Sequence, residues 1–408
     1  MSKIVFVGMP AHGHVNPTLP VVQELVRRGE QVIYYVAEEF RPQIERIGAT
    51  FQAYPGGTLA SKDIAEAIQS GDLTRVVRVI LQATESLLPF LLDELPQKQP
   101  DVVAFDSNAL WGRMAATKLN LPMVSLMTTF IPNPAQFPRL TLREWIHMLR
   151  PILPSIPGVV SARSRVVRRF GQSLYPPKPT LPMRGGTNIV FVPRDLQPDN
   201  ALIDETFHFV GPTIDPEAPR GDLPFDASGA GPFIYISLGT LHRGSTDFWH
   251  QCFEAFAEIK AQFIVSVGKG ADLQALGESP PNFIVRDVVP QIDVLRHAAV
   301  FITHGGMNSV LEGLYHGVPL ILIPQQYEQL MTALNVAAKG AGLVLRGHMA
   351  GKRVTAAELR GALETILAEP RFGEAAKRAQ TSLRATGGYR RATDEIQAFV
   401  ARSARPRT

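Results

Sequence analysis

The sequence predicts a parallel α/β protein of two domains with a cleft between them, on three observations. The strand-like runs are apolar from end to end instead of alternating, as in parallel sheets covered on both faces. Amphipathic helix-like segments separate them, and at 408 residues the chain exceeds one ordinary core, so two domains are expected.

In chain order, "KIVFV" reads as the first strand. Asn16 is placed to cap the next helix and Pro17 to occupy its first position, where a missing N–H costs nothing. Leu19, Val22, Leu25 and Val26 mark one helical face, Gly29 stops the helix, and "QVIYYV" is the second strand. The intervening "AHGHVNP" is thus a strand-to-helix turn, where ligands of open parallel sheets gather. "DVVAF" and "LPMVSLM" suggest further strands. Between about Pro132 and Pro182 ten prolines and the basic run "RSRVVRR" replace the pattern. This stretch is expected to be a functional loop region or partly disordered, with the arginines on a solvated face. A second series runs through "PFIYISLGT", "QFIVSVG", "NFIVRDVV", "VFITHGG" and "PLILIP", and Thr355 with Glu358 forms a capping box for a late helix. "DLPFDASGAGP" reads as a linker. The expected division is an amino-terminal domain over 1–215, a linker over 216–230, a second domain over 231–385, and a closing helix and tail over 386–408 that packs back towards the first domain.

Composition narrows the function classes. No apolar stretch approaches the roughly 20 residues of a membrane helix, and "MSKIVFVGMP" enters a strand without signal-peptide architecture. Cys252 is the single cysteine, so no intrachain disulfide or cysteine metal cluster is expected, and a cytoplasmic location fits. The net charge of +4 sits partly in the tail "RSARPRT" and is read as solvated arginine instead of a nucleic-acid site. No membrane anchor is expected, and oligomeric state is not readable.

The densest chemistry is "ITHGGMNSVLEGLYHGVP", with His304, Gly305, Gly306, Met307, Asn308 and Ser309 at a strand end, followed by a helix ending near Gly317. Glycines let the backbone approach a ligand, and a helix amino terminus offers free N–H groups and about half a positive charge. Asn308 and Ser309 add donors, and Glu312 one turn on is suited to accept from sugar hydroxyls. "SLGT", Ser237 to Thr240, is a second donor-rich strand end. Together the turns suggest a diphosphate ligand.

At these residues the chain resembles a known family. "VPQIDVLRHAAVFITHGGMNSVLEGLYHGVPLILIPQQYEQ" is similar to the nucleotide-sugar signature of the UDP-glycosyltransferases, nearest to the bacterial macrolide and natural-product members. "GHVNPTLPVVQELVRRGEQV" and "GGYRRATDEIQAFV" resemble the family's opening and closing segments. The resemblance implies a GT-B fold, two Rossmann-like doubly wound domains facing a cleft. It also implies inverting transfer of a hexose, glucose first, from a UDP-sugar or alternatively a dTDP-sugar. The acceptor would be a hydroxyl of a hydrophobic small molecule such as a flavonoid, macrolide or other polyketide. No cofactor or metal is implied, the sugar nucleotide being a co-substrate. Carried over by motif, His14 is the general base and Asp106 its orienting carboxylate. Gln291 and Glu312 contact ribose, while Thr240, His304, Asn308 and Ser309, with Gly306 beside them, contact the diphosphate. Glu328 and Gln329 hold the sugar's hydroxyls and Thr128 lies near its O6. Val288 and Met307 stand where many relatives carry tryptophan, which leaves the choice of base and sugar open. For the acceptor, Phe130, Phe137, Trp145 and Leu140 are offered as apolar walls, with a core role equally open.

The residue types suit that chemistry. An acceptor phenol or alcohol is mostly protonated at neutral pH, and a histidine with a pKa near 6.5 takes its proton as attack proceeds. A carboxylate on the other ring nitrogen fixes the tautomer and supports the imidazolium. His12 is expected only to line the loop. Three rivals remain: a His-X-His metal pair in a hydrolase barrel, a sugar-nucleotide epimerase on the same fold, and a non-catalytic sugar-nucleotide-binding partner.

Overall fold

The computed structural model describes residues 1–133, 139–178, 180–217, 221–226, 231–239, 244–268 and 270–403. They form two compact units, each built on one parallel sheet.

The first unit comprises residues up to 134, 150–215 and 386 onward. Its strands are β1 (Lys3–Val7), β2 (Gln31–Val36), β3 (Thr50–Ala53), β4 (Val102–Asp106), β5 (Met123–Met127), β6 (Thr187–Val190) and β7 (Phe207–Phe209). They are ordered β3-β2-β1-β4-β5-β6-β7. Successive side chains of β1 supply opposite cores. Val5 and Val7 pack with the long helix Leu73–Lys98, whereas Ile4 and Phe6 pack with the helices Leu19–Arg27 and Gly388–Ser403. This two-sided burial explains the unbroken apolar runs. Helix Gly388–Ser403 is tied to Leu19–Arg27 and the turn after it. Arg28 bonds Asp394 at 2.5 Å and Gln397 at 3.0 Å, and Gln397 donates to Glu30 at 2.8 Å.

The second unit contains β8 (Phe233–Ser237), β9 (Gln262–Ser266), β10 (Phe283–Arg286), β11 (Ala298–Thr303), β12 (Leu320–Leu322) and β13 (Gly342–Val344), ordered β10-β9-β8-β11-β12-β13. Ile234 and Ile236 face a core of Trp249, Phe253, Phe256 and Phe263. The capping box at the helix Ala356–Ala368 is present: Glu358 N–H donates to Thr355 Oγ1 at 3.2 Å, and Thr355 N–H to Glu358 Oε2 at 2.9 Å.

Three expectations are corrected. The chain becomes helical at His12–Val15, with Ala11 at the cap position, so Asn16 sits in helical backbone and caps nothing. Main-chain bonds from His14 and Val15 to the Ala11 carbonyl close that first turn early. The proline-rich stretch carries two helices, Leu142–Ile152 and Ile156–Phe170. Pro157 opens the second helix, where no N–H is needed. The arginines of "RSRVVRR" lie on it, Arg165 pairing with Glu85 at 3.1 Å. Finally, residues 139–149 fall with the second unit and not within a continuous 1–215 domain. Arg139 donates to Asn335 Oδ1 at 2.8 Å, and buried Glu144 accepts from Arg346 at 2.6 and 2.7 Å. Of the linker, Gly221 N–H is held by Asp293 at 2.9 Å.

Candidate active site

Both sheets run 3-2-1-4-5-6 about their first strand, the first sheet adding a seventh strand, so the strand order of each reverses between its first and fourth strands. Crevices outside the carboxyl ends of those strands bind ligands in this architecture. His14 and Asp106 lie at that end of the first sheet, and His304 to Ser309 at that end of the second.

In the first unit the turn after β1 is rigid. A side chain at Gly8 would meet the Tyr34 ring at 2.8 Å. Tyr54 Oη donates to the Gly8 carbonyl at 2.7 Å and accepts from Trp111 Nε1 at 3.0 Å. Thr18 Oγ1 donates to the Val15 carbonyl at 2.7 Å and lies 2.9 Å from Tyr34 Oη. On this frame His14 Nδ1 lies 2.8 Å from Asp106 Oδ2, the final residue of β4. Asp106 is buried, and its other oxygen accepts from Asn108 N–H at 2.8 Å. A buried carboxylate on Nδ1 holds the ring proton there and makes Nε2 the basic nitrogen. Thr128, just beyond β5 and also buried, brings Oγ1 within 3.2 Å of the same Nδ1. Sequence reasoning placed Thr128 near a sugar; its contact with the histidine was not anticipated. His12 packs edge-on against Phe40, ring centroids 5.0 Å apart.

In the second unit β11 ends at Thr303 and the helix Met307–Tyr315 begins after Gly306, which offers no capping side chain to its first N–H groups. The His304 imidazole lies between two glycines. A Cβ at Gly306 would fall within its contact radius, and one at Gly239, after β8, would lie 2.5 Å from Cε1. The positive φ of Gly239 (+82°) and Gly305 (+86°) also requires glycine. Thr303 Oγ1 lies 3.3 Å from His304 Nδ1.

Gln291 and Glu312 form one assembly. Tyr235 Oη donates to Gln291 Oε1 at 3.1 Å, and Gln291 Nε2 donates to Glu312 Oε2 at 2.5 Å and lies 3.4 Å from Ser309 Oγ. Burial raises the Glu312 carboxyl to about 7, against the opposing bond from Gln291, although part of the residue meets solvent. Tyr235 is the positioning residue that sequence reasoning missed. Its one signal was a hydroxyl inside the buried run "FIYIS". Met307 is buried and Val288 is 58% exposed. Glu328 is exposed, whereas Gln329 is buried with its side-chain oxygen accepting from Gln325 N–H at 2.8 Å.

The acceptor residues are divided between the two units. Phe130 is buried in the first unit, where Gln197 bonds both backbone groups of Ile131 at 2.8 and 3.0 Å. Trp145, partly exposed, and buried Leu140 belong to the second unit. Phe137 and Thr240 lie outside the described residues. Among the described residues no three His, Cys, Asp or Glu side chains converge as metal ligands, and no helix is long and apolar enough to cross a membrane.

Two doubly wound sheets with such turns at their switch points match the GT-B class of glycosyltransferases in fold. Two solved structures share the fold over nearly the whole chain. The glycosyltransferase of kitacinnamycin matches with a TM-score of 0.81 and 28% identity, covering 98% of each chain. CalG4, the calicheamicin glycosyltransferase, matches with 0.78 and 30% identity, covering 99% of this chain and 100% of that one. The NDP-glycosyltransferase YjiC of Bacillus subtilis (strain 168) is 33% identical over 99% of this chain and 98% of its own length. Residues 199–382 match the family model described as UDP-glucoronosyl and UDP-glucosyl transferase. The chain belongs to that UDP-glycosyltransferase family and is a glycosyltransferase.

Proposed function

We propose that the protein is an inverting, metal-independent transferase that moves a hexose from a UDP-sugar, or a dTDP-sugar, to a hydroxyl of an apolar small-molecule acceptor. The single observation that carries the reading is the His14–Asp106 contact at the first switch point. A binding module would need neither residue, and a buried carboxylate oriented onto Nδ1 suits a general base. The acceptor class is supported by the names of two structural relatives, glycosyltransferases of kitacinnamycin and calicheamicin.

In this mechanism His14 Nε2 accepts the acceptor's hydroxyl proton while that oxygen attacks the anomeric carbon. The bond from that carbon to the diphosphate oxygen breaks, and its electron pair leaves on the nucleoside diphosphate. Attack opposite the leaving group inverts the configuration. Asp106 stabilises the imidazolium, which then releases its proton to solvent. The first N–H groups of the helix Met307–Tyr315 and the donors at His304, Asn308 and Ser309 offset the charge growing on the diphosphate. Gln291 and Glu312 take the ribose, and Glu328 and Gln329 the sugar hydroxyls.

The test is a mass-spectrometric transfer assay with EDTA present. It offers UDP-glucose, dTDP-glucose and UDP-N-acetylglucosamine against flavonoids, macrolides and simple phenols. A product heavier by one sugar, formed equally with and without chelation, supports the reading. Tight UDP binding without transfer to any acceptor favours an epimerase or accessory role, and transfer abolished by EDTA removes metal independence.

A further inference from the structure

The second unit holds a cavity of about 570 Å³ lined by Arg296, His297, Tyr315, His316, Gln380 and Arg384, with Pro216 at its edge. None of these residues has a part in the mechanism above. The lining carries two guanidiniums and two imidazoles and no carboxylate. Two nitrogens behind that lining, Arg296 Nε and His316 Nε2, are buried from solvent and have no hydrogen-bond partner. Arg296 Nε has only a long ion pair with Asp293, at 3.6 Å, and that aspartate already accepts from Gly221 N–H at 2.9 Å. Buried polar atoms in folded proteins are nearly always paired, so two beside one basic cavity call for an explanation.

Capping of the preceding helix does not supply it. Cations do gather at helix carboxyl ends, and His316 follows the helix Met307–Tyr315. Its last carbonyls, however, are already taken by main-chain N–H groups of His316, Gly317 and Val318, and that of Tyr315 by Gln380 Nε2 at 3.2 Å. Arg384 lies over the Tyr315 ring at 5.2 Å. The basic lining therefore serves something other than the helix.

We propose that this cavity is a binding site for a phosphate-bearing anion, either inorganic phosphate or a small phosphate ester. A phosphate dianion has oxygens enough for both guanidiniums, where a carboxylate would satisfy one arginine. The volume exceeds what a free phosphate needs and leaves room for an ester body along Tyr315 and Pro216. The lining itself disfavours charge on His316. Burial, then Arg296 and Arg384, hold its imidazole down to about 4, with Asp293 opposing and His297 alongside. A bound phosphate offsets the guanidiniums and raises that value.

The experiment uses the full chain saturated with UDP, which occupies the diphosphate turn. Inorganic phosphate and a hexose monophosphate are titrated separately by calorimetry at constant ionic strength, and the His316 imidazole is followed by NMR. Expected is a dissociation constant on the order of 1 mM or tighter, weakened at least about tenfold in Arg384→Gln, an exposed position whose change spares the fold. An upward shift of the His316 titration on binding should accompany it. Tighter binding of the hexose phosphate identifies an ester as the ligand, and equal binding identifies free phosphate. No binding of either, or binding unaltered by both Arg384→Gln and Arg296→Gln, overturns the proposal.

Discussion

Gln291 Nε2 donates to Glu312 Oε2 at 2.5 Å, and Tyr235 Oη fixes the other side of the same amide at 3.1 Å. The carboxylate is thereby aimed but also desolvated, and burial lifts its pKa from 4.5 to about 7. A carboxyl raised on folding favours the folded state fully below its unfolded value, and that contribution is lost as pH rises from about 4.5 through 7. The full shift corresponds to about 3 kcal/mol, an upper figure because part of the side chain meets solvent. Glu312→Gln keeps the shape and an acceptor for Gln291. Its melting temperature should exceed that of the native chain at pH 8 and match it at pH 5. The same increment at both pH values would exclude Glu312 as the source.

Gly306 and Gly239 bracket the His304 ring, so a methyl group at either meets the imidazole. Gly306→Ala should displace His304 from the turn and weaken UDP binding at least tenfold, about 1.4 kcal/mol. Gly239→Ala adds the strain of a positive φ, +82°, about 1–2 kcal/mol. Calorimetric titration of UDP into each variant measures this, and native affinity in Gly306→Ala would show that His304 lies outside the donor contact.

Thr128 Oγ1 is 3.2 Å from His14 Nδ1, which makes it a positioning partner as well as the sugar neighbour its motif implies. Thr128→Val keeps the volume and removes a polar contact that shares the Nδ1 proton with Asp106, worth at most about 1 kcal/mol, so kcat should fall by no more than about fivefold. If the residue acts through His14, the loss is the same for a glucose donor and its 6-deoxy counterpart. A loss confined to the glucose donor assigns Thr128 to the sugar's O6 instead. His14→Ala sets the scale, with an expected loss of about 10²–10⁴ in kcat and unchanged UDP affinity.

Most of this fold was legible because a parallel sheet writes itself as apolar runs. "KIVFV", "QVIYYV" and "PFIYIS" fall on β1, β2 and β8. The site was legible where a motif carried it: His14 and Asp106 meet, as do Gln291 and Glu312. What escaped depends on neighbours distant in sequence. Asn16 looked like a cap, but main-chain bonds to Ala11 start the helix at His12. The helices over 142–170 were hidden by Pro151, Pro154 and Pro157, which the structure tolerates near helix ends and starts. Tyr235 read as one more strand residue, since only the fold brings its hydroxyl to Gln291, 56 positions away.

The residues that draw 139–149 into the second unit give the last prediction. Glu144 is 2% exposed and accepts from Arg346 at 2.6 and 2.7 Å, from Thr141 N–H at 2.7 Å and from the Thr141 hydroxyl at 2.9 Å. Burial alone would raise its pKa, but the Arg346 and Thr141 bonds outweigh it and hold the carboxyl below its usual value. A lowered carboxyl stabilises the folded state above its unfolded pKa and loses that contribution as pH falls. Arg346→Ala leaves the buried charge with Thr141 alone, at a cost of about 2–4 kcal/mol, discounted because Arg346 is 33% exposed. Amide exchange over 142–149 should accelerate on the order of 10²-fold at pH 7. The gap to the native chain should narrow towards pH 5, as the abandoned Glu144 takes up a proton. Unchanged exchange at pH 7 would mean that the segment is held by its apolar contacts and that the ion pair contributes nothing.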